Sequence, residues 1–285
     1  MAVKFIIDSA SDILPWEAKE LGLIHLPLKV QFGDREYRDA VDLSHREFYE
    51  KLVESDEFPT TCQINPTEFE EAIRAIVSAG DEAVIITLSA KLSGTYQSAC
   101  IAAEEYEGKV FVVDSASVSL GERILVLRAM ELGEQGFSAA EIAAKLDGEK
   151  HRIRVMALVD TLEYLKKGGR VSATVAFAGG ILGIKPVIAL EDGEVALVGK
   201  ARGSKQGNNL LRSMVTDCGG INFQKPFCLA YSGLSDALLQ KYIADSAELW
   251  EGHDDHGKLP VITIGCTIGT HAGPGAVAVA FFENE

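Results

Sequence analysis

Long apolar runs are missing from this 285-residue chain. No stretch reaches the ~18–20 residues that a membrane-crossing helix needs. The opening "MAVKFIIDSASD" meets an aspartate at once and has no signal-peptide apolar region, so a cytoplasmic protein is expected. Basic residues are also few. Lys and Arg total 27 against 42 Asp and Glu, a formal charge of −15, which argues against a general nucleic-acid binder. Cysteine is scarce and unpaired in pattern: five residues, an odd number, with no C-x-x-C spacing. Free thiols in a reducing compartment fit that count. No metal site is expected, because only His253 and His256 approach each other in sequence, inside the charged stretch "EGHDDHGK". No G-x-G-x-x-G follows a strand and no Walker motif occurs, so no nucleotide site of its own is visible. Repeats, low-complexity segments and long Gly/Ser linkers are absent as well.

What is present is a 47% hydrophobic chain, enough for one large or two ordinary cores. In the first half, apolar runs alternate with amphipathic ones. "VKFIID", "LIHLPLKVQF", "EAVIITLS", "KVFVVDS" and "IRVMALVD" read as strands, and the segments between them as helices. Ser11 or Asp12 would cap the first helix ahead of Pro15. Ser44 with Glu47, and Thr67 with Glu70, stand at capping-box spacing, and a further capped helix runs through "SAAEIAAKLDGEK". This alternation predicts a mostly parallel sheet covered on both faces. After about Asp160 the pattern changes. "KPVIALEDGEVALVGKA" reads as a hairpin turning at Asp192–Gly193, and "LPVITIGCT" and "GAVAVAFFE" as late strands. Residues 1–160 are therefore expected to form a parallel α/β domain and 161–285 an α+β domain. The segment "VSATVAFAGGILGI", Val171 to Ile184, carries no charge, so it is either buried core or faces an apolar ligand.

Polar residues gather where ligands settle in parallel sheets, beyond the carboxyl ends of strands. In "LSAKLSGTYQSA", Ser93–Gly94–Thr95 enters a helix, whose free N–H groups and partial positive charge suit an anion. Ser93 serves equally well as a plain cap, or as the nucleophile of a hydrolase, although the glycine two places before an elbow serine is lacking. "FPTTCQINPTEF" offers Thr60, Thr61, Gln63 and Asn65 between prolines. "LKKGGR", ending in Arg170, and "VGKARGSKQG", with Lys200, Arg202 and Lys205, are the densest basic clusters. "TIGTHAGPGA" sets His271 among three glycines and a proline, which reads either as an imidazole held close to a ligand or as a tight turn between strands.

Taken in order, "TTCQINP", "KLSGTYQSA", "VDSASVSLG", "LKKGGRVS", "KPVIAL" with "KARG", and "GTHAGPGA" resemble the DegV family across roughly Phe5 to Phe282. The resemblance implies a two-domain α/β fold with a fatty acid lying between the domains. It implies a carrier that binds a long-chain fatty acid and presents the carboxylate to a separate kinase subunit, which makes acyl phosphate. Such a carrier is not an enzyme by itself, uses no cofactor, binds no nucleic acid, and touches membranes only in passing. By motif match the carboxylate falls to Thr61, Ser93 and His271, with Gly94 and Thr270 beside them. The acyl tail is expected along Phe177, Ile181 and Leu182, and the kinase subunit at Arg170 and Arg202. The alternative is a stand-alone serine-dependent acyl hydrolase using Ser93. Two departures stand out: the loop reads Thr61-Cys62-Gln63-Ile64-Asn65-Pro66 where the family has T-S-Q-P-S, and Arg123 replaces a glycine after "SLG".

Overall fold

The structure is a computed structural model that describes residues 2–55, 57–171, 183–253 and 258–284. β1 (Val3–Asp8) and β2 (Ile24–Leu26) pair in parallel. β3 (Lys29–Phe32), β4 (Arg35–Arg38) and β5 (Thr60–Cys62) make a small antiparallel sheet in the order β4-β3-β5. β6 (Glu82–Thr87) and β7 (Val110–Asp114) return to the first sheet, which runs β2-β1-β6-β7 and is parallel throughout. The last six strands are β8 (Ile153–Leu158), β9 (Ile184–Glu191), β10 (Glu194–Arg202), β11 (Phe227–Tyr231), β12 (Val261–Thr263) and β13 (Val277–Phe282). They form one mixed sheet, β10-β9-β8-β13-β11-β12.

Strand periodicity builds the layers. Successive side chains of β1 point to opposite faces. Ile6 enters a core with Ile85, Phe69 and Ile73, while Phe5 and Ile7 enter another with Val84 and Ile86. That second core holds the helix Leu120–Glu134, whose Ile124, Leu125, Val126 and Ala129 are all buried. Ala278, Ala280 and Phe282 of β13 close the same core from the mixed sheet. The helix is apolar on most sides because it is packed between two sheets. On the far face of the mixed sheet, Leu158, Val279 and Phe281 pack under Leu211, Val215 and Tyr242.

Several sequence expectations shift. "IRVMALVD", read with the first half, is β8, and it pairs with β9 and β13 in the mixed sheet. At the level of the sheets, the division expected at Asp160 therefore falls before Ile153. "LIHLPLKVQF" breaks at Pro27, which has no N–H to continue a ladder, into β2 and β3 of different sheets. The capping box before Pro66 is Asn65 with Glu68, not Thr67 with Glu70. Pro66 fills the first helical position, so Thr67 already lies inside the helix. Neither Ser11 nor Asp12 caps the helix Pro15–Glu20. The boxes of Ser44 with Glu47 and of Ser138 with Glu141 form as read, and the hairpin turns at Asp192–Gly193, both with positive φ. Among the described residues no helix is long and apolar enough to cross a membrane.

Candidate functional site

The segment expected to end as a strand before His271 folds instead as a short helix, Cys266–Ala272. Its start is held by carboxylates from the other end of the chain. Gly265 N donates to Asp12 Oδ1 at 2.9 Å, Cys266 N to Asp39 Oδ1 at 3.1 Å and Thr267 N to Asp39 Oδ2 at 3.0 Å. These acceptors satisfy amides that a helix start leaves free. Gly269 lets the helix press on Phe48 and Tyr49: a Cβ there would stand 2.6 Å from Tyr49 Oη. The helix ends at Gly273, at φ 70°.

The helix delivers His271 to Thr61 on β5, with Nε2 3.0 Å from Thr61 Oγ1. The other ring nitrogen, Nδ1, is buried without a hydrogen-bond partner among the described residues. Gly168, from "LKKGGR", lies so close that a Cβ would fall 2.0 Å from Nδ1. Burial, and then the charge of Arg170, lower the His271 pKa from 6.5 to about 4, so the ring is neutral at pH 7. Arg170 Nε donates to the Leu92 carbonyl at 3.1 Å and a terminal nitrogen to the Gly168 carbonyl at 2.6 Å. It thereby ties the loop before Ser93 to the loop beside His271.

Ser93 and Gly94 lead into the helix Thr95–Ala103, as the sequence suggested. Ser93 Oγ accepts from Thr95 N at 3.2 Å and lies 3.0 Å from Thr95 Oγ1. Gln63, two residues along from Thr61, rests its amide where a Gly94 side chain would be and donates to Ser98 Oγ at 3.0 Å. Thr61, Gln63, Ser93, Gly94, Arg170 and His271 all line one cavity of about 190 Å³. The rest of its wall is mainly apolar and comes from the mixed sheet, from loops beyond the parallel strands such as Leu28 and Leu88, and from neighbouring helices. The imidazole reaches Thr61, whereas the partner of Ser93 Oγ among the described residues is Thr95, so no Ser–His pair is assembled.

The chain matches, over residues 2–284, the family model described as "Uncharacterised protein, DegV family". It is 35% identical to a DegV domain-containing protein of Caldanaerobacter subterraneus subsp. tengcongensis, with 99% of each chain covered. The chain belongs to the DegV family. Among solved DegV structures, that of a Thermus thermophilus protein, described by its fatty acid binding, aligns with TM-score 0.87 at 33% identity, covering 99% of this chain and 100% of that one. Bacillus subtilis DegV, described as a fatty acid binding protein, aligns with TM-score 0.80 at 27% identity over 98% of each chain. A stearic acid-binding protein of Eubacterium ventriosum aligns with TM-score 0.83 at 26% identity, over 98% of this chain and 97% of that one.

Within this DegV chain, not every motif residue reaches the cavity. Thr270 is fully buried and its hydroxyl donates to the Cys266 carbonyl at 2.9 Å, so it faces its own helix. Thr267 lines the cavity instead, and its buried Oγ1 has no partner among the described residues. Positions 267 and 271 share a face at i, i+4 spacing, a signal hidden while the segment reads as a strand. Arg170, expected at a docking surface, stands in the cavity wall. Arg202 is exposed at the start of the helix Gly203–Asp217, away from that wall. Phe177, Ile181 and Leu182 lie outside the described residues.

The two departures from the family pattern have local reasons. Asn65 caps and Pro66 begins the helix that follows the loop, and Arg123 pairs with Glu17 of the first helix. His253 stacks on Phe223, at 3.7 Å between centroids, and His256 lies outside the described residues. A cluster not foreseen in sequence is Asp39, His45 and Cys266, whose ligand atoms lie within 4.8 Å of one another. Both Asp39 oxygens already accept helix amides, and Cys266 Sγ donates to the Leu43 carbonyl at 3.5 Å. The cluster is thus accounted for as the clamp on the helix that carries His271.

Proposed function

We propose that this protein binds a long-chain fatty acid in the cavity, with the carboxylate at Thr61, Ser93, Thr267 and His271 and the tail among the apolar wall residues. The observation that carries the reading is one cavity that joins these polar groups and the Arg170 guanidinium to an apolar lining. A buried carboxylate needs donors or a countercharge. Hydroxyls, a neutral imidazole, the start of the helix Thr95–Ala103 and a nearby guanidinium together answer that need. Each tail methylene removed from water contributes about 0.8 kcal/mol, so the tail supplies most of the affinity. The fatty acid binding described for the Thermus, Bacillus and Eubacterium relatives supports the same ligand class.

The finer part of the proposal is that the bound acid is presented to a separate kinase subunit, which brings ATP and forms acyl phosphate. In that step His271 and Arg170 stabilise charge at the head group, and exposed Arg202 meets the partner. The protein needs no cofactor of its own for this role. The test has two stages. Lipid extraction and mass spectrometry of purified protein should return a fatty acid, and adding a fatty acid kinase subunit with ATP should yield acyl phosphate. No acyl chain and no uptake of added fatty acid overturn the binding reading. Normal acyl-phosphate formation by Arg202→Ala at limiting protein overturns its docking role. Turnover of acyl esters by the protein alone, abolished in Ser93→Ala, would favour the hydrolase.

A further inference from the structure

The cavity has a direction that can be read from the strand register. Val155, Ala157 and Val159 follow one another along one face of β8 and its extension, and all three line the cavity. Val277 of β13 pairs with Leu158, so Ala276 and the Gly273–Gly275 turn after His271 lie at the Val159 end. The polar head of the site is therefore at Val159. Val155 lies four residues deeper, roughly 13 Å away at strand rise. Continuing the β8–β9 register, in which Met156 faces Ala189, brings Leu190 beside Val155.

Val155 and Leu190 also line a second cavity, of about 360 Å³. Its other walls are of opposite character: Lys150, His151, Arg154, Glu191 and Asp192 surround it. The two side chains thus stand as a partition between an apolar tunnel and a polar cleft. Both halves of the partition are braced. Val155 packs on the helix Leu120–Glu134 so closely that a Cβ at Gly121 would stand 2.4 Å from its Cγ2. Leu190 sits two residues before the hairpin turn, pairs with cavity-lining Val195, and is held down where Ser89 Oγ donates to the Gly193 carbonyl at 2.7 Å.

We propose that Val155 and Leu190 form the terminal wall of the acyl tunnel and set the upper limit on chain length. This inference rests on the fatty-acid reading above. Each methylene placed before the wall gains burial worth about fourfold in affinity. A methylene forced past it would meet charged side chains and water, and would gain little. The affinity series should therefore climb with chain length and then stop at the wall.

The experiment measures binding of a homologous series of straight-chain saturated fatty acids to delipidated protein. The readout is the ratio of affinity for chains longer than the wild-type optimum to affinity at that optimum, taken within each variant. Val155→Ala and Leu190→Ala remove the wall and should raise that ratio at least about tenfold. Leu190→Phe thickens it and should move the optimum to shorter chains. Thermal melts check folding, and partly exposed Leu190 keeps the test open if Val155→Ala does not fold. An unchanged ratio and optimum in the folded variants overturn the wall. Failure of the wild-type protein to bind any member of the series overturns the fatty-acid reading itself, and the two results are distinct.

Discussion

Gly168→Ala is a sharp test of how the head group is held, because it adds one methyl group against His271 without altering any proposed ligand side chain. Gly168 has φ −74° and ψ −7°, so alanine fits its backbone without strain. The added Cβ would stand 2.0 Å from His271 Nδ1, where ordinary contact begins at 3.4 Å. The imidazole must therefore move by more than an ångström, and its 3.0 Å approach to Thr61 is lost with it. Losing one hydrogen bond to a charged group costs roughly 1.5–3 kcal/mol, or roughly ten- to hundredfold in affinity. Titration calorimetry or displacement of a fluorescent fatty acid would read this loss. Gly148→Ala is the control: it lies in the helix Ala139–Glu149 with nothing within 4 Å of an added Cβ. Wild-type affinity in Gly168→Ala, alongside a loss in His271→Ala, would refute the packing reasoning.

Three further outcomes are expected. Thr267→Val replaces a buried, unpartnered hydroxyl with a methyl group of like shape; ligand-free protein should melt no lower, while fatty acid binds about tenfold more weakly. Protonation of His271 should weaken the fold in acid. The unfolded chain takes up the proton first, at about 6.5, and the folded one only at about 4, so stability drops across that window by about 3 kcal/mol. Denaturant melts should show this drop in wild type relative to His271→Asn, and parallel pH profiles would contradict it. Glu122 is fully buried beside Asp8, and burial and that neighbour push its pKa well up. The unfolded chain releases that proton first as pH rises, so wild-type stability falls with rising pH. Glu122→Gln should therefore gain on wild type as pH rises above the ordinary carboxylate range, and a constant difference would show that Glu122 does not titrate in the folded protein.

Much of this architecture is legible where the cause is local. The parallel strands show as apolar runs, the hairpin as Asp192–Gly193, and two capping boxes as serines three residues before a glutamate. Thr61, Ser93, Gly94 and His271 come from motifs scattered along the chain, and the fold gathers them in one cavity wall. What stays hidden depends on distant partners. The helix Cys266–Ala272 has no side-chain cap of its own, and "TIGC" reads as strand because the groups that hold its start are Asp12 and Asp39. With that helix unread, Thr270 looks like a ligand and Thr267 does not. β8 likewise looks like a fifth strand of the first sheet, since its partners β9 and β13 come later in the chain.

The same clamp bears on when the site comes into being. Asp12 and Gly265 are 253 positions apart, and Asp39 and Cys266 are 227. Closing loops of that length is entropically costly, and contacts of such high order are slow to form. During synthesis the parallel sheet, whose last strand ends at Asp114, can assemble early, whereas the mixed sheet waits for its central strand β13. The imidazole can reach Thr61 only after the segment that carries it has left the ribosome and docked on Asp12 and Asp39. Nascent chains should accordingly be unable to hold fatty acid, however well folded their first two hundred or so residues are. On the fatty-acid reading, loading thereby waits for that docking, and a chain cut before Cys266 would be an empty shell.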